Sequence, residues 1–222
     1  MREKLSIGLL LLLLFCCTGS RAVAQTNDPV EEVGKRAKAL IEATMQNVSE
    51  RAHIFNEQIS LVNSLRALEV SNLDSAHVAR NLPVIEDFLS YLMRYRDSST
   101  ILLKTLQDSL GYMREELPQS LKGRYLKAFE EAYLADVRAF DNYTLSLSTL
   151  FGKVTDVLTL LQTSKYTIQK NQLQFASKKD LEKYKKLFKE IDQANKRAAK
   201  AGDASKKATA WSNKTIKEVY GN

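Results

Sequence analysis

The chain has 222 residues, 44% of them hydrophobic, with 33 Lys and Arg against 26 Asp and Glu, two cysteines and eight glycines. That length and apolar content suffice for a sizeable core without covalent staples. The sequence holds no Gly-x-Ser-x-Gly elbow and no glycine-rich phosphate loop, which excludes the acyl- and phosphoryl-transfer classes that depend on those motifs.

Taken in chain order, the N-terminus reads as a secretory signal peptide. Arg2 and Lys4 precede an apolar run from Ile7 to Cys17, and Ala22-Val23-Ala24 supplies the small-x-small pattern for cleavage before Gln25. The run is about half the roughly 20 residues that span a bilayer. Phe15 before Cys16 does not match the small residue a bacterial lipoprotein needs. Cleavage after residue 24 removes both cysteines, so the mature chain has no disulfide and no thiolate ligand. The implied location is secreted or extracellular, periplasmic in a Gram-negative bacterium.

Residues 25–222 read as one helical-bundle domain. Asp28-Pro29 with Glu31 is a helix start, and Ile41, Met45, Val48, Ala52, Phe55, Ile59 and Val62 step by threes and fours, predicting a helix over about 29–72. Ser71 to Ser75 reads as a turn or frayed end. Pro83 opens a second helix over 83–117, with Ile85, Phe88, Leu92, Tyr95, Leu102, Leu106, Leu110 and Met113 on its stripe and Ser99 filling one slot. A third helix over 120–176 carries Leu126, Phe129, Tyr133, Phe140, Tyr143, Leu147, Leu150, Val154, Val157, Leu161 and Ile168, interrupted at Asp136 and Ser164. Gly152 is a candidate kink in it. Ser177 caps a fourth helix over 178–220, with a break near Gly202 and Trp211 continuing the weaker part. The fold class is all-α: an elongated antiparallel bundle of about four long, coiled-coil-like helices.

Chemistry is sparse. Glu50-x-x-His53 and Asp74-x-x-His77 have the spacing used by helical di-iron proteins, but they would lie about 36 Å apart on a continuous helix. No metal, cofactor or catalytic residue is assigned, and the chain reads as a non-enzyme. Asp136, the one acid on the third helix's seam, either fixes register through an arginine or tyrosine partner or sits at the seam's edge beside Val137. Tyr95, Tyr133, Tyr143 and Tyr184 occupy stripe positions and read as core. Tyr143–Leu161 carries only Lys153 and Asp156 as charges, so it is either the deepest core or a surface that opens.

Basicity is confined to the last segment, where 13 Lys and Arg from Lys178 onward face six acids. Lys178, Lys179, Lys183, Lys185, Lys186 and Lys189 are the candidate contacts for an anionic lipid or polysaccharide; nucleic acid is not expected for a secreted chain. Asn47, Asn142 and Asn213 head glycosylation sequons, which matter only in a eukaryotic secretory pathway. The leading functional expectation is protein–protein interaction or a structural role, with self-association through the heptad seams included. The alternative is a lipid- or membrane-associated bundle that opens on an anionic surface.

Overall fold

A computed structural model describes residues 29–116 and 125–220. The expected signal peptide over 1–24 and the expected start of the third helix near residue 120 lie outside the described residues. Four long helices are present among them: α1 (Pro29–Ser64), α2 (Ser75–Glu116), α3 (Tyr125–Thr163) and α4 (Lys178–Tyr220). A two-stranded antiparallel hairpin, β1 (Tyr166–Gln169) and β2 (Gln172–Phe175), separates α3 from α4.

The contacts show each helix running antiparallel to the next. Arg36 of α1 meets Glu116 of α2, while Arg51 reaches Tyr95 and Ser99. Arg114 of α2 pairs with Glu130 of α3, and Arg96 with Asp141. Asp136 of α3 meets Thr209 of α4, and Lys153 meets Glu190. The main core runs from the hairpin end to the middle of the bundle, through Leu73, Val78, Ile85, Phe88, Leu92, Phe151, Val157 and Leu158. The low-charge stretch Tyr143–Leu161 is part of it, with Val157 and Leu158 fully buried.

Three helix boundaries differ from the sequence expectation, each for a local reason. α1 stops at Ser64, not near 72. Arg66 takes a left-handed φ of 45°, the amides of Leu65 and Arg66 donate to the helix-end carbonyls of Val62 and Asn63, and Asn72 Nδ2 fixes the turn by donating to the carbonyls of Leu65 and Arg66. α2 begins at Ser75, not at Pro83, because Asp74 is the cap: its Oδ1 accepts from the amides of Ala76 and His77 at 3.0 Å. Pro83 then sits inside α2 and removes one backbone donor. Burial of Val78 and Leu82 on either side of the missing bond holds those turns in place.

The third helix ends at Thr163, and the expected helix over 164–176 is the hairpin. Lys170 and Asn171 form its two-residue turn with φ of 48° and 59°, the left-handed values a type I′ turn requires. Tyr166, Ile168, Leu173 and Phe175 share one face by register. Tyr166 donates to the Leu73 carbonyl at 2.5 Å, and Phe175 packs on Tyr184, so the hairpin closes that end of the core.

The expected break near Gly202 is also absent, since α4 is continuous from Lys178 to Tyr220. Its buried seam continues through Ala194, Ala198, Ser205 and Ser212, while Ala204 and Trp211 are exposed. Gly202 has a packing role: a Cβ there would lie 3.1 Å from Tyr143 Cε2. α3 likewise continues through Gly152 without interruption.

Replacing Gly202 with Leu should overpack this crossing and cost about 1–3 kcal/mol in urea denaturation. Gly202→Ala should be far milder, because about 1 kcal/mol of helix propensity offsets the squeeze on Tyr143.

Candidate binding cavity

Each helix contributes one small or polar residue, two of them interruptions of an apolar stripe, and antiparallel packing brings the four to one level. On α1 the seam carries the small Ala52, and on α2 Ser99 stands where a large apolar residue is due. On α3 the interruption is Asp136, and α4 contributes Thr209. These residues line a single cavity of about 300 Å³, walled also by Val48, Leu102, Val137 and Phe140. Missing side-chain volume at one level of a bundle leaves space that close packing elsewhere would fill.

The aromatic layer beneath it is dense. Phe55 is 2% exposed, and its ring lies 5.1 Å from Tyr95, 5.2 Å from Phe140 and 6.1 Å from Tyr143. Such tilted and edge-on pairs contribute beyond simple burial. Tyr95 and Tyr133 therefore belong to both core and cavity wall, whereas Tyr143 and Tyr184 pack only as part of the core and its edge.

Four charged side chains other than the solvent-facing Arg138 border the space. Arg51 Nη2 lies 3.0 Å from the Tyr95 carbonyl, 2.5 Å from Ser98 Oγ and 2.9 Å from Ser99 Oγ, donating among them. Its guanidinium sits 4.8 Å from the Tyr95 ring centroid, a cation–π contact. Arg96 Nε donates to Asp141 Oδ1 at 2.6 Å. Asp136 Oδ1 accepts from Thr209 Oγ1 at 2.6 Å, so its partner is a threonine rather than an arginine or tyrosine, and Asp136 and Val137 are both half-buried.

Burial pushes the Asp136 carboxyl above its usual range, and the Thr209 hydrogen bond only partly opposes this. Burial also pushes the Tyr133 phenol up to about 12, with the Asp136 charge adding and Arg51 opposing. Tyr133 therefore stays neutral at physiological pH. Tyr95 is raised as well, through burial, against the pull of Arg51.

The residues singled out from sequence lie elsewhere. Lys178, Lys179, Lys183, Lys185, Lys186 and Lys189 are all exposed on the outer face of the first turns of α4. Two of them have local acidic neighbours: Lys185 Nζ lies 3.1 Å from Glu182, and Lys186 Nζ 4.0 Å from Glu190. Asn47, Asn142 and Asn213 are exposed on α1, α3 and α4. His53 faces Glu57 at 3.2 Å, and His77 Nδ1 lies 2.5 Å from Asp74 Oδ2, so the two Glu/Asp-x-x-His pairs are not brought together. No group of three or more metal-ligating side chains occurs among the described residues. Arg51 flanks the seam and so carries no signal in the stripe; the signals that could have found the cavity were the interruptions at Ser99 and Asp136 and the small Ala52 on the α1 stripe.

No protein-family model matches the chain, and no curated protein or solved structure does either.

The raised Asp136 carboxyl binds its proton more tightly in the folded than in the unfolded chain. Ionising it therefore weakens the fold as pH rises through and above about 4. Asp136→Asn keeps an acceptor for Thr209 and removes the charge. The variant should melt at a higher temperature than the wild type at pH 7, and the two should converge near pH 3, where both side chains are neutral.

Proposed function

We propose that this chain is a secreted binding protein that acts without catalysis, and that its binding element is the cavity between the four helices. The observation that carries this reading is the alignment of Ala52, Ser99, Asp136 and Thr209 around one space of about 300 Å³. Pockets of this size, mostly apolar and provided with a few fixed polar groups, are the usual form of small-molecule sites between helices of a bundle. The polar groups here support holding a ligand: the Tyr133 phenol remains protonated, and Arg51 is pinned by three acceptors and an aromatic face. In the macromolecular reading the seams are taken up by the chain's own core, and the cavity is the socket for a side chain protruding from a protein partner or a second copy.

A second reading, contact with an anionic lipid or polysaccharide surface, is favoured by one feature. Six exposed lysines lie within the first three turns of α4, directly after the hairpin that bears exposed Lys165 and Lys170. The α3 segment Glu130–Thr163 also has the length and apolarity to cross a membrane, a test that buried core helices pass as well. In this account α3 stays in the core and the lysine face meets the surface from outside. Cosedimentation with phosphatidylglycerol vesicles at low salt should then be abolished by reversing Lys178, Lys179 and Lys183 to Glu; retained binding would remove this reading.

The cavity reading is tested with an uncharged fluorophore, N-phenyl-1-naphthylamine. Wild-type protein should bind it saturably, one molecule per chain. Ala52→Trp fills the space from α1 and should weaken binding at least tenfold while helical circular dichroism is retained. Absence of saturable binding, or binding indifferent to Ala52→Trp, contradicts the proposal.

A further inference from the structure

The charges around the cavity are unequally compensated. Arg51 has three oxygen acceptors and the Tyr95 ring. Arg96 and Asp141 neutralise one another at 2.6 Å. Arg138 is exposed to solvent. Asp136 differs from all of these. It is half-buried, its one hydrogen bond comes from the neutral hydroxyl of Thr209, and that hydroxyl is shared with the Ser205 carbonyl at 3.1 Å. Among the described residues no lysine, arginine or histidine comes within ion-pair distance of it, and its Oδ2 accepts no hydrogen bond.

A carboxylate partly withdrawn from water without a counter-ion is destabilised, and bringing a cation to it recovers part of that cost. The remaining walls carry the hydroxyls of Ser99, Thr100 and Thr144 but are otherwise formed by Val48, Ala52, Leu102 and Val137, which suit the hydrocarbon body of a ligand, and by the rings of Tyr95, Tyr133 and Phe140, whose faces suit an ammonium group. Arg51, drawn aside onto Tyr95 and the α2 serines, leaves the α3–α4 side of the space as the place for positive charge.

We propose that the cavity takes a small organic cation, an alkyl- or arylammonium whose charged group pairs with Asp136 and whose apolar body fills the space between α1, α2 and α3. This rests on the cavity being a binding site at all, and the test separates the two statements. Binding of octylammonium, 1-octanol and octanoate is measured by titration calorimetry at pH 7 on the wild type, Ala52→Trp and Asp136→Asn. Octylammonium should bind at least tenfold more tightly than 1-octanol. Asp136→Asn should remove that preference and leave 1-octanol within about twofold of wild type. Equal binding of octylammonium and 1-octanol, both weakened by Ala52→Trp, would overturn the cation proposal and leave the cavity reading standing. Tighter binding of octanoate would overturn it too, pointing to Arg51. If none of the three binds, both readings fall. The comparison of ligands on the wild type is decisive even if Asp136→Asn does not fold.

Discussion

Phe55 ties three helices together through one side chain. Its ring, buried on α1, meets Tyr95 on α2 and both Phe140 and Tyr143 on α3. Aromatic pairs of this kind contribute about 0.5–1.5 kcal/mol each beyond area burial, and their centroid distances tolerate little axial slip. A slip of one turn moves a side chain about 5.4 Å along the axis. That would carry Ala52 past Ser99 and Asp136, and the aligned space above the aromatic layer would be filled. The cavity is thus a consequence of register, and register is held by this layer together with Phe88 on Phe151 at 4.9 Å.

α4 supplies a different constraint. Its seam from Ala194 onward is built of alanine, glycine and serine, which allows it to lie close to α3. Gly202 marks the tightest point, against Tyr143, and Thr209 follows two turns later at the cavity. Close approach of α3 and α4 is what brings the Thr209 hydroxyl to Asp136 at 2.6 Å. The same approach half-buries that carboxylate without providing a counter-ion. Packing and electrostatics are therefore linked here: the small-residue seam that tightens the bundle also leaves Asp136 half-buried beside a neutral hydroxyl.

The all-α class and the antiparallel order of neighbours were legible from periodicity, because stripes such as Ile85 to Met113 repeat at helical spacing over many turns. The hairpin was not, for a specific reason. Ile168 follows Leu161 by seven residues and so continues the heptad count, although Tyr166–Gln169 and Gln172–Phe175 alternate with period two around Lys170-Asn171. Turn chemistry outweighed the longer pattern. Pro83 misled in the opposite sense, since the cap at Asp74 and the burial of Val78 and Leu82 outweigh one lost backbone bond. At Gly202 the expectation of a break came from a shift of register at Gly202-Asp203 onto Ala204, Ala208 and Trp211; the seam instead continues through Ser205 and Ser212, small enough to be buried between helices. Of the site, Ser99 and Asp136 were visible as interruptions, one per helix. Their meeting was not, because it depends on the axial alignment of separate helices, which no single stripe contains.

The central claim is that these interruptions converge on a space that admits a ligand. It is tested most directly by intermolecular NOEs between isotope-labelled protein and unlabelled 1-octanol, a ligand whose binding does not depend on charge. The account predicts contacts to the methyl groups of Ala52, Val137 and Thr209, which belong to three different helices. Contacts confined to exposed positions such as Leu145 or Ile168, with none to those three methyls, would contradict it.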